Sequence, residues 1–387
     1  MVKAVTTVTL FGVRSVHFEI QALDKTATAV IQQRIDLKTK PQGALGALET
    51  LALQLALIQS QSKKTGLHKE RLTLNKPVLL IFAGDHGINQ HGVSIAPSAV
   101  TQQMVSNFLA GGAAANCFCR SNGIELFVVD AGMLQPLPDS DALIQQSLGS
   151  GTADFSQAAA MSMAQVEAGL ALGRHAARQQ ILAGCDLLLL GEMGIANTSS
   201  AAALLAALTQ WPVETCVGRG TGISDAQFNL KLSLIEQALQ RPYAKDPLSI
   251  LAEFGGFEIV QLCGAILGAA AQQKAVLIDG FIVSVAALFA CKLAPHCRDY
   301  LIFAHQGAEA GHKAALKALA AEALLNLGLR LGEGTGAALA VPLLRAAISF
   351  YNDMASFADA GVTQVVESEL AESPIAENQI TDNGASQ

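Results

Sequence analysis

A short polar segment in the middle of the chain combines a carboxylate, glycines and the start of a helix. It runs from Gly191 through Glu192 and Gly194 to Thr198, directly after four leucines. Asn197 or Thr198 is a suitable N-cap for the alanine-rich helix that follows. Backbone N–H groups at such a helix start, with glycine allowing close approach, form a phosphate or carboxylate site. An ordinary capped helix would explain the Asn and Thr, but not a glutamate beside glycines.

Two more glycine-rich loops lie at residues 218–222 and 332–336, and each could wrap a phosphate or a ribose. The second matches G-x-G-x-x-[GA], but it lacks an evident preceding strand and the acidic residue about 20 positions later, so it is a weak dinucleotide signal. Glu333 is held between glycines with an apolar segment on each side. This setting makes it a candidate for desolvation, a raised pKa and general-base catalysis. A solvated loop glutamate is the alternative interpretation.

Two groups of residues have the composition of metal or acid–base sites. His305, Glu309 and His312 have the spacing i, i+4 and i+7, which would place them on one helical face. Because His305 directly follows an apolar run, helix capping or substrate contact is favoured over metal binding. Asp85 and His86 could form a metal or acid–base pair, although such pairs more often fix a loop. We therefore predict no metal site.

Familiar catalytic signatures are missing from the sequence. It contains no G-x-S-x-G motif, no P-loop and no C-x-x-C motif. The commonest hydrolase, kinase and zinc-site interpretations are thereby removed.

The elements that must position these residues are five short apolar runs, each followed by a turn and an alanine-rich helical pattern. They are residues 78–82, 126–129, 187–190, 275–278 and 301–303. Runs that are apolar throughout and alternate with helices predict a parallel sheet buried on both faces, and hence a doubly wound α/β fold. In such sheets ligands bind at the carboxyl ends of the strands. The polar segments that follow the runs are residues 84–87, 130–132, 191–194, 279–281 and 304–307.

The N-terminal part of the chain has a different pattern. Residues 20–62 read as helical, with a break at residues 40–43 where proline and glycine occur. We predict a small, mainly helical domain at residues 1–70, completed by part of the C-terminal region at about 340–365, and a catalytic domain at residues 71–340. Residues 366–387 lack periodicity and are predicted to be a flexible tail.

The composition favours a small-molecule partner. Hydrophobic residues make up 51% and charged residues 15% of the chain, which indicates a large core and suggests an apolar oligomer interface. The net charge is −7 and the 25 lysines and arginines form no basic block, which argues against nucleic acid and anionic membranes.

The cysteines and the N-terminal stretch predict a cytoplasmic protein. Seven cysteines, an odd number, are scattered without a disulfide framework, as in a reducing compartment. The N-terminal apolar stretch carries Arg14 and His17 and does not read as a secretory leader. No segment offers about 20 uninterrupted apolar residues.

The loops together resemble a known family. The matching segments are KPQGALG (40–46), GDHG (84–87), GGAAAN (111–116), GEMGIANT (191–198), GGFE (255–258), LIDGF (277–281) and RLGEGTG (330–336). They occur in order from about residue 20 to residue 362. On these motifs the chain resembles the nicotinate-nucleotide–dimethylbenzimidazole phosphoribosyltransferase family.

The resemblance implies a Rossmann-like main domain with a smaller helical domain, assembled as a homodimer with the active site near the interface. It also implies a reaction without metal or cofactor. Nicotinate mononucleotide would give its phosphoribosyl group to 5,6-dimethylbenzimidazole, with inversion at C1′, releasing nicotinate and forming α-ribazole 5′-phosphate for cobalamin synthesis.

The resemblance also assigns roles to residues. It makes Glu333, in the R-L-G-E-G motif, the general base, and places Lys231 at the phosphate or carboxylate of the nucleotide. Other substrate-binding positions are Asp85, His86, Glu192, Gly194, Ile195, Asn197, Thr198, Gly220, Gly307, Ala308 and Leu331.

The family commonly reads S-H-x-S-A-E where this chain has Ala304 and Gly307, so two hydroxyls are lost. Backbone N–H groups at Gly307 and Ala308 would then have to serve the phosphate. The early G-S-L-G-R motif reads GALGA at residues 43–47.

Three alternatives remain at this point. An NAD-dependent oxidoreductase fits the α/β pattern but not the missing fingerprint and acidic ribose ligand. A non-catalytic nucleotide- or base-binding protein of the same fold is compatible with the lost serines. A transferase that uses phosphoribosyl pyrophosphate is disfavoured because no paired acidic residues precede a T-G phosphate loop.

Overall fold

The five apolar runs form strands of one parallel sheet. The computed structural model describes residues 18–61, 68–220 and 222–363, and in these ranges the sheet has six strands. They are β1 Pro77–Gly84, β2 Glu125–Gly132, β3 Leu143–Gln145, β4 Leu187–Met193, β5 Ala275–Ile278 and β6 Leu301–Phe303. Their order is β3-β2-β1-β4-β5-β6, and every neighbouring pair is parallel. The predicted α/β fold with a mainly parallel, doubly wound sheet is confirmed.

Helices cover both faces of the sheet. They are α1 Thr28–Asp36, α2 Ala47–Ser60, α3 Ala99–Ala110, α4 Ala114–Ser121, α5 Met163–Leu182, α6 Asn197–Thr209, α7 Val213–Cys216, α8 Asp225–Leu239, α9 Pro247–Phe254, α10 Phe257–Ala271, α11 Phe281–Leu293, α12 Ala310–Ala318, α13 Thr335–Asp353 and α14 Phe357–Ala360. Short 3₁₀ segments lie at Gly87–His91 and Pro295–Tyr300. Helices α10 and α11 are almost entirely buried, which explains why their sequences are apolar on every side.

Two sequence expectations about the elements need correction. The three-residue edge strand β3 was not predicted, because so short a run has no visible periodicity. The helical pattern expected from residue 20 begins only at Thr28. Residues before it are held by tertiary contacts instead, since the Leu23 N–H donates to Asp299 and the Asp24 N–H donates to Gln61.

The N-terminal helices contact the C-terminal part of the described chain. Helix α2 packs against α1 and α13, and Lys38 donates to the carbonyl of Met354. The Arg34 guanidinium lies 4.5 Å from the ring centre of Tyr351. These contacts join the segments assigned to the small helical domain, whose boundaries stay a prediction. The predicted tail at residues 366–387 lies outside the described residues, as do residues 1–17 and 62–67.

No helix in the described ranges is both long enough and apolar enough to cross a bilayer.

Candidate functional site

An open cleft lies over the carboxyl ends of β4, β5 and β6. Its volume, including solvent at the mouth, is about 680 Å³. The walls come from the loops after these strands, from the start of α6 and from the loop before α13. The lining residues include Glu192, Gly194, Ile195, Asn197, Thr198, Gly220, Gly280, Phe281, His305, Gly307, Glu309, Arg330, Leu331 and Gly332. The sheet therefore delivers three of its five predicted polar loops to one cleft.

The start of α6 differs from the expected cap. The N-cap position is Ala196, which has a φ of 74°, and neither Asn197 nor Thr198 caps the helix. Both side chains have other partners, because Asn197 Nδ2 donates to Glu192 Oε2 and Thr198 Oγ1 accepts from Lys231 Nζ at 2.8 Å. All three polar side chains of this segment are thus engaged with the site rather than with the helix backbone.

Lys231 is buried beside the cleft. It lies on α8, and its Nζ also donates to the carbonyl of Gly218 at 3.2 Å. Desolvation lowers the pKa of Lys231 to about 8, although the nearby Glu309 carboxylate opposes the shift. The ammonium does not line the cleft, but Thr198, its partner, does. A ligand anion at the α6 start would therefore approach a largely charged lysine.

Two desolvated carboxyl groups, those of Glu192 and Glu333, lie at or behind the cleft wall. Burial raises the pKa of Glu192 to about 8, and the pKa of Glu333 to about 7 with a further contribution from Asp279. Oε2 of Glu333 is buried and has no hydrogen-bond partner among the described residues. Glu192 Oε1 packs against Gly332, the residue before Glu333, where a Cβ would collide with it. Glu333 follows Gly332 and is buried behind the cleft wall, so its side chain is not part of the lining.

The region around Gly307 is already hydrogen-bonded internally. The Gly307 N–H donates to His312 Nδ1 at 2.8 Å, and the Ala308 N–H donates to the carbonyl of Leu329 at 2.9 Å. Gly307 lines the cleft, and Ala308 lines an adjoining cleft that shares Gly220 with it. The expectation that these N–H groups replace the lost serine hydroxyls therefore has no support from this geometry.

The spaced trio His305, Glu309 and His312 does not share a helical face, because α12 begins only at Ala310. His312 is fixed by Gly307 and by Ser284 Oγ at 3.2 Å. Burial lowers the pKa of His312 to about 3, which keeps it neutral. Within the described ranges no three His, Cys, Asp or Glu side chains are grouped as a metal site.

Asp85 and His86 lie beneath the cleft rather than in its wall. Asp85 Oδ2 accepts the Leu134 N–H at 2.8 Å. The ring nitrogens of His86 contact Ser200 Oγ at 2.9 Å and Glu258 Oε1 at 2.7 Å. These contacts fix the loop after β1, which is the structural alternative that the sequence left open.

Sequence reasoning placed Asp279 and Arg330 in polar segments and motifs but gave neither a role, and the structure places them at or behind the cleft. Arg330 lines both adjoining clefts. Asp279 lies behind the first, where its carboxylate accepts two backbone N–H groups of the α13 start. The position of Asp279 directly after an apolar run was the available signal for it.

Comparison with known proteins finds matches that cover most of the chain. A family model described as phosphoribosyltransferase matches residues 20–362. The nicotinate-nucleotide–dimethylbenzimidazole phosphoribosyltransferase of Vibrio cholerae is 57% identical over 341 residues, covering 88% of this chain and 99% of the relative. The protein of the same name from Shewanella frigidimarina is 54% identical over 351 residues, covering 90% of this chain and 100% of the relative. The crystal structure of CobT from Thermus thermophilus superposes with a TM-score of 0.83 at 42% identity, covering 88% of this chain and 99% of that one.

Proposed function

The chain belongs to the nicotinate-nucleotide–dimethylbenzimidazole phosphoribosyltransferase family, and from that premise we propose that it transfers phosphoribosyl from nicotinate mononucleotide to 5,6-dimethylbenzimidazole. The products are nicotinate and α-ribazole 5′-phosphate. The desolvated Glu333 next to the cleft is the observation that carries the mechanistic part of this proposal.

The nucleotide phosphate is assigned to the start of α6. There Gly194 and Ile195 line the cleft, and Thr198 brings the Lys231 ammonium within reach, while the Ile195 N–H already donates to Thr101 Oγ1 at 3.2 Å and takes no part. An anion at a helix N-terminus beside a lysine is stabilised both by the helix dipole and by charge. The backbone N–H groups of Gly307 and Ala308 take no part in this assignment.

The transfer needs one bond to form and one to break at C1′. The unprotonated ring nitrogen of the benzimidazole attacks C1′ from the face opposite nicotinate. The C1′–N bond breaks, and its electron pair stays on the nicotinate ring nitrogen, which was a pyridinium and leaves uncharged. Attack from the opposite face inverts the β-nucleotide to an α-nucleotide. Because the leaving group already carries the positive charge, the step requires neither a metal nor a covalent intermediate.

Glu333 is assigned the proton of the benzimidazole N–H. A base works best when its pKa lies near the working pH, and burial brings the pKa of Glu333 to about 7. Its free Oε2 gives the proton an acceptor. Catalytic groups often reach hydrogen-bonding distance only as substrate binds, so the position of Glu333 behind the wall is compatible with this role.

Glu192 is assigned a supporting role. With the pKa of Glu192 at about 8, this carboxyl is mainly protonated at neutral pH, and Asn197 fixes its orientation. Two nearby carboxyl groups share protons rather than ionising independently. When Glu192 keeps its proton, the negative charge lies on Glu333. Glu333 can then accept the proton of the benzimidazole N–H.

The proposal is tested by incubating the protein with nicotinate mononucleotide and dimethylbenzimidazole and following both products by chromatography. We expect the wild type to form them and Glu333→Gln to be slower by about 10²–10⁴-fold, the usual contribution of a general base. Glu322→Gln, an exposed glutamate of the preceding segment, serves as the matched control and should retain wild-type rates.

Folded wild-type protein that forms neither product would contradict the transfer. In that case a non-catalytic nucleotide- or base-binding role becomes the better account, and binding of nicotinate mononucleotide without turnover would identify it.

A further inference from the structure

Asp279 holds the backbone on which Glu333 sits. It follows β5 directly and is 1% exposed. Its Oδ2 accepts the Gly334 N–H at 3.1 Å and its Oδ1 accepts the Ala337 N–H at 2.8 Å. The two oxygens therefore span the first turn of α13, immediately after Glu333.

The segment that carries Glu333 needs such an anchor. Gly332, Glu333 and Gly334 have φ values of 84°, 64° and 79°, three left-handed residues in succession. A non-glycine residue in this region is strained and persists only where its surroundings enforce it. Thr335 closes the turn by donating its hydroxyl to the Gly332 carbonyl at 2.7 Å. The Asp279 carboxylate supplies the contacts from outside the turn.

Asp279 also lies close to His305, which is a residue of the cleft wall. The His305 Nδ1 lies 3.6 Å from Asp279 Oδ1, and the ring fills the space that a side chain at Gly336 would need. His305 lines the cleft and is 3% exposed. Asp279 is thus packed between the start of α13 and a histidine of the cleft wall.

We propose that Asp279 is a positioning residue for Glu333, which it holds in place through the backbone of α13 while keeping a negative charge beside it. This inference rests on the proposed function, in which Glu333 is the base. Burial raises the pKa of Asp279, whereas the two N–H groups of the α13 start stabilise its carboxylate, and the charge of that carboxylate adds to the raised pKa of Glu333. The other titratable groups of this buried cluster are Glu192 and Glu258, together with His305, and none of them accepts an N–H from α13.

The test compares Asp279→Asn with Asp130→Asn. Asp130 is a matched control, since it is also buried at the carboxyl end of a strand and its Oδ1 accepts two backbone N–H groups, from Gly132 and Met133, at 2.9 Å each. It does not line the cleft. We expect Asp279→Asn to lower kcat at least about 10-fold, since small displacements of a catalytic group are costly. Asp130→Asn should leave the kcat of folded protein unchanged.

Two readouts separate positioning from general destabilisation. The acidic limb of the kcat/KM profile should move to lower pH in Asp279→Asn, because the neighbouring charge that raises the pKa of Glu333 is gone. In a Glu333→Gln background the same substitution should cost little more, since residues that act through one another are not additive. An unmoved limb, or an equal loss in both backgrounds, would overturn the proposal.

Asp279→Glu provides the test if the asparagine variant does not fold. It keeps the charge but displaces the oxygens, so kcat should fall while the acidic limb stays near its wild-type position. Unchanged kcat in Asp279→Glu would equally overturn the proposal. If the wild type has no transfer activity, the proposed function fails by itself. The pKa of Glu333 from carboxyl NMR, assigned with Glu333→Gln, then still reports whether Asp279 acts on it.

Discussion

Glu333 and Glu192 are unusual in that their carboxyl groups are buried without a cation beside them. Burial disfavours the ionised form, which places the pKa of Glu333 at about 7 and that of Glu192 at about 8. The same burial that prepares Glu333 for proton transfer makes its carboxylate a cost to folding. Activity and stability are therefore opposed at this residue.

This opposition predicts that Glu333→Gln is more heat-stable than the wild type above neutral pH. An unfolded glutamate titrates near 4.5, whereas the folded pKa of Glu333 is about 7. The folded state binds more protons between these values, so wild-type stability falls as pH rises through that window and stays low above it. We expect the variant to gain about 2 °C or more in Tm at pH 8 and clearly less at pH 4.5.

Differential scanning calorimetry at the two pH values measures the effect, with Glu322→Gln as control. An equal Tm difference at both values would show that the stability change does not come from the carboxylate charge.

The sequence predicted part of this residue-scale chemistry. The glycines around Glu333 pointed to desolvation and a raised pKa; the carboxyl is buried in the structure, and this burial acts to raise its pKa. The role of Asp279 could not be predicted, because it depends on β5 and α13 meeting although their sequences lie far apart. The N-cap expected at Asn197 or Thr198 was wrong because partners elsewhere in the chain occupy those side chains.

The contact between β4 and the start of α13 decides where Glu333 lies. Gly191 is the strand residue at this contact, since a Cβ there would lie 2.6 Å from the Gly334 nitrogen and 2.7 Å from the Glu333 carbonyl carbon. Backbone atoms cannot move aside as a flexible side chain can. The glycine of the GEMG segment is therefore required for packing, in addition to any contact with a ligand.

We expect Gly191→Ala to lower kcat by about 10²-fold, because a shift of about 1 Å in a catalytic group is enough for such a loss. Gly264→Ala is the matched control. Its Cβ would crowd α5 at 2.8 Å from the Leu170 carbonyl carbon, away from the cleft. The control should lower Tm but leave the kcat of folded protein intact. Equal kcat in wild type and Gly191→Ala would contradict the packing argument.

At the scale of elements the sequence was most informative about strands. All five apolar runs are strands and the polar loops after β4, β5 and β6 reach the cleft. The loops after β1 and β2 do not reach the cleft. Asp85 and His86, in the loop after β1, instead make hydrogen bonds beneath the cleft. Periodicity identifies which residues end a strand, but not which strand ends are neighbours.

The whole molecule is a phosphoribosyltransferase of α/β fold whose cleft has an apolar edge. Leu331 lines the cleft and is 52% exposed, and Leu327 nearby in the chain is 58% exposed. Apolar side chains at the rim of a cleft are commonly covered by a partner or a ligand. The homodimer that the family resemblance implies, with its active site near the interface, would cover such leucines.

Sedimentation velocity tests the assembly. We expect a species of twice the chain mass, because a chain with 51% hydrophobic residues can supply the apolar surface that a stable symmetric interface buries. Leu327→Glu should weaken the dimer and raise KM for dimethylbenzimidazole in parallel. A monomer with full activity would refute the shared-interface proposal.

The most direct test of the central claim is the dependence of kcat/KM for dimethylbenzimidazole on pH, measured for wild type and Glu333→Gln from about pH 5 to about pH 9. The base must be ionised to accept the proton, so wild-type activity should rise with pH through the pKa of Glu333, at about 7. This limb should be missing from the much slower variant, where only the titration of the substrate itself remains. A limb that persists unchanged in Glu333→Gln would show that another group takes the proton and would contradict the account.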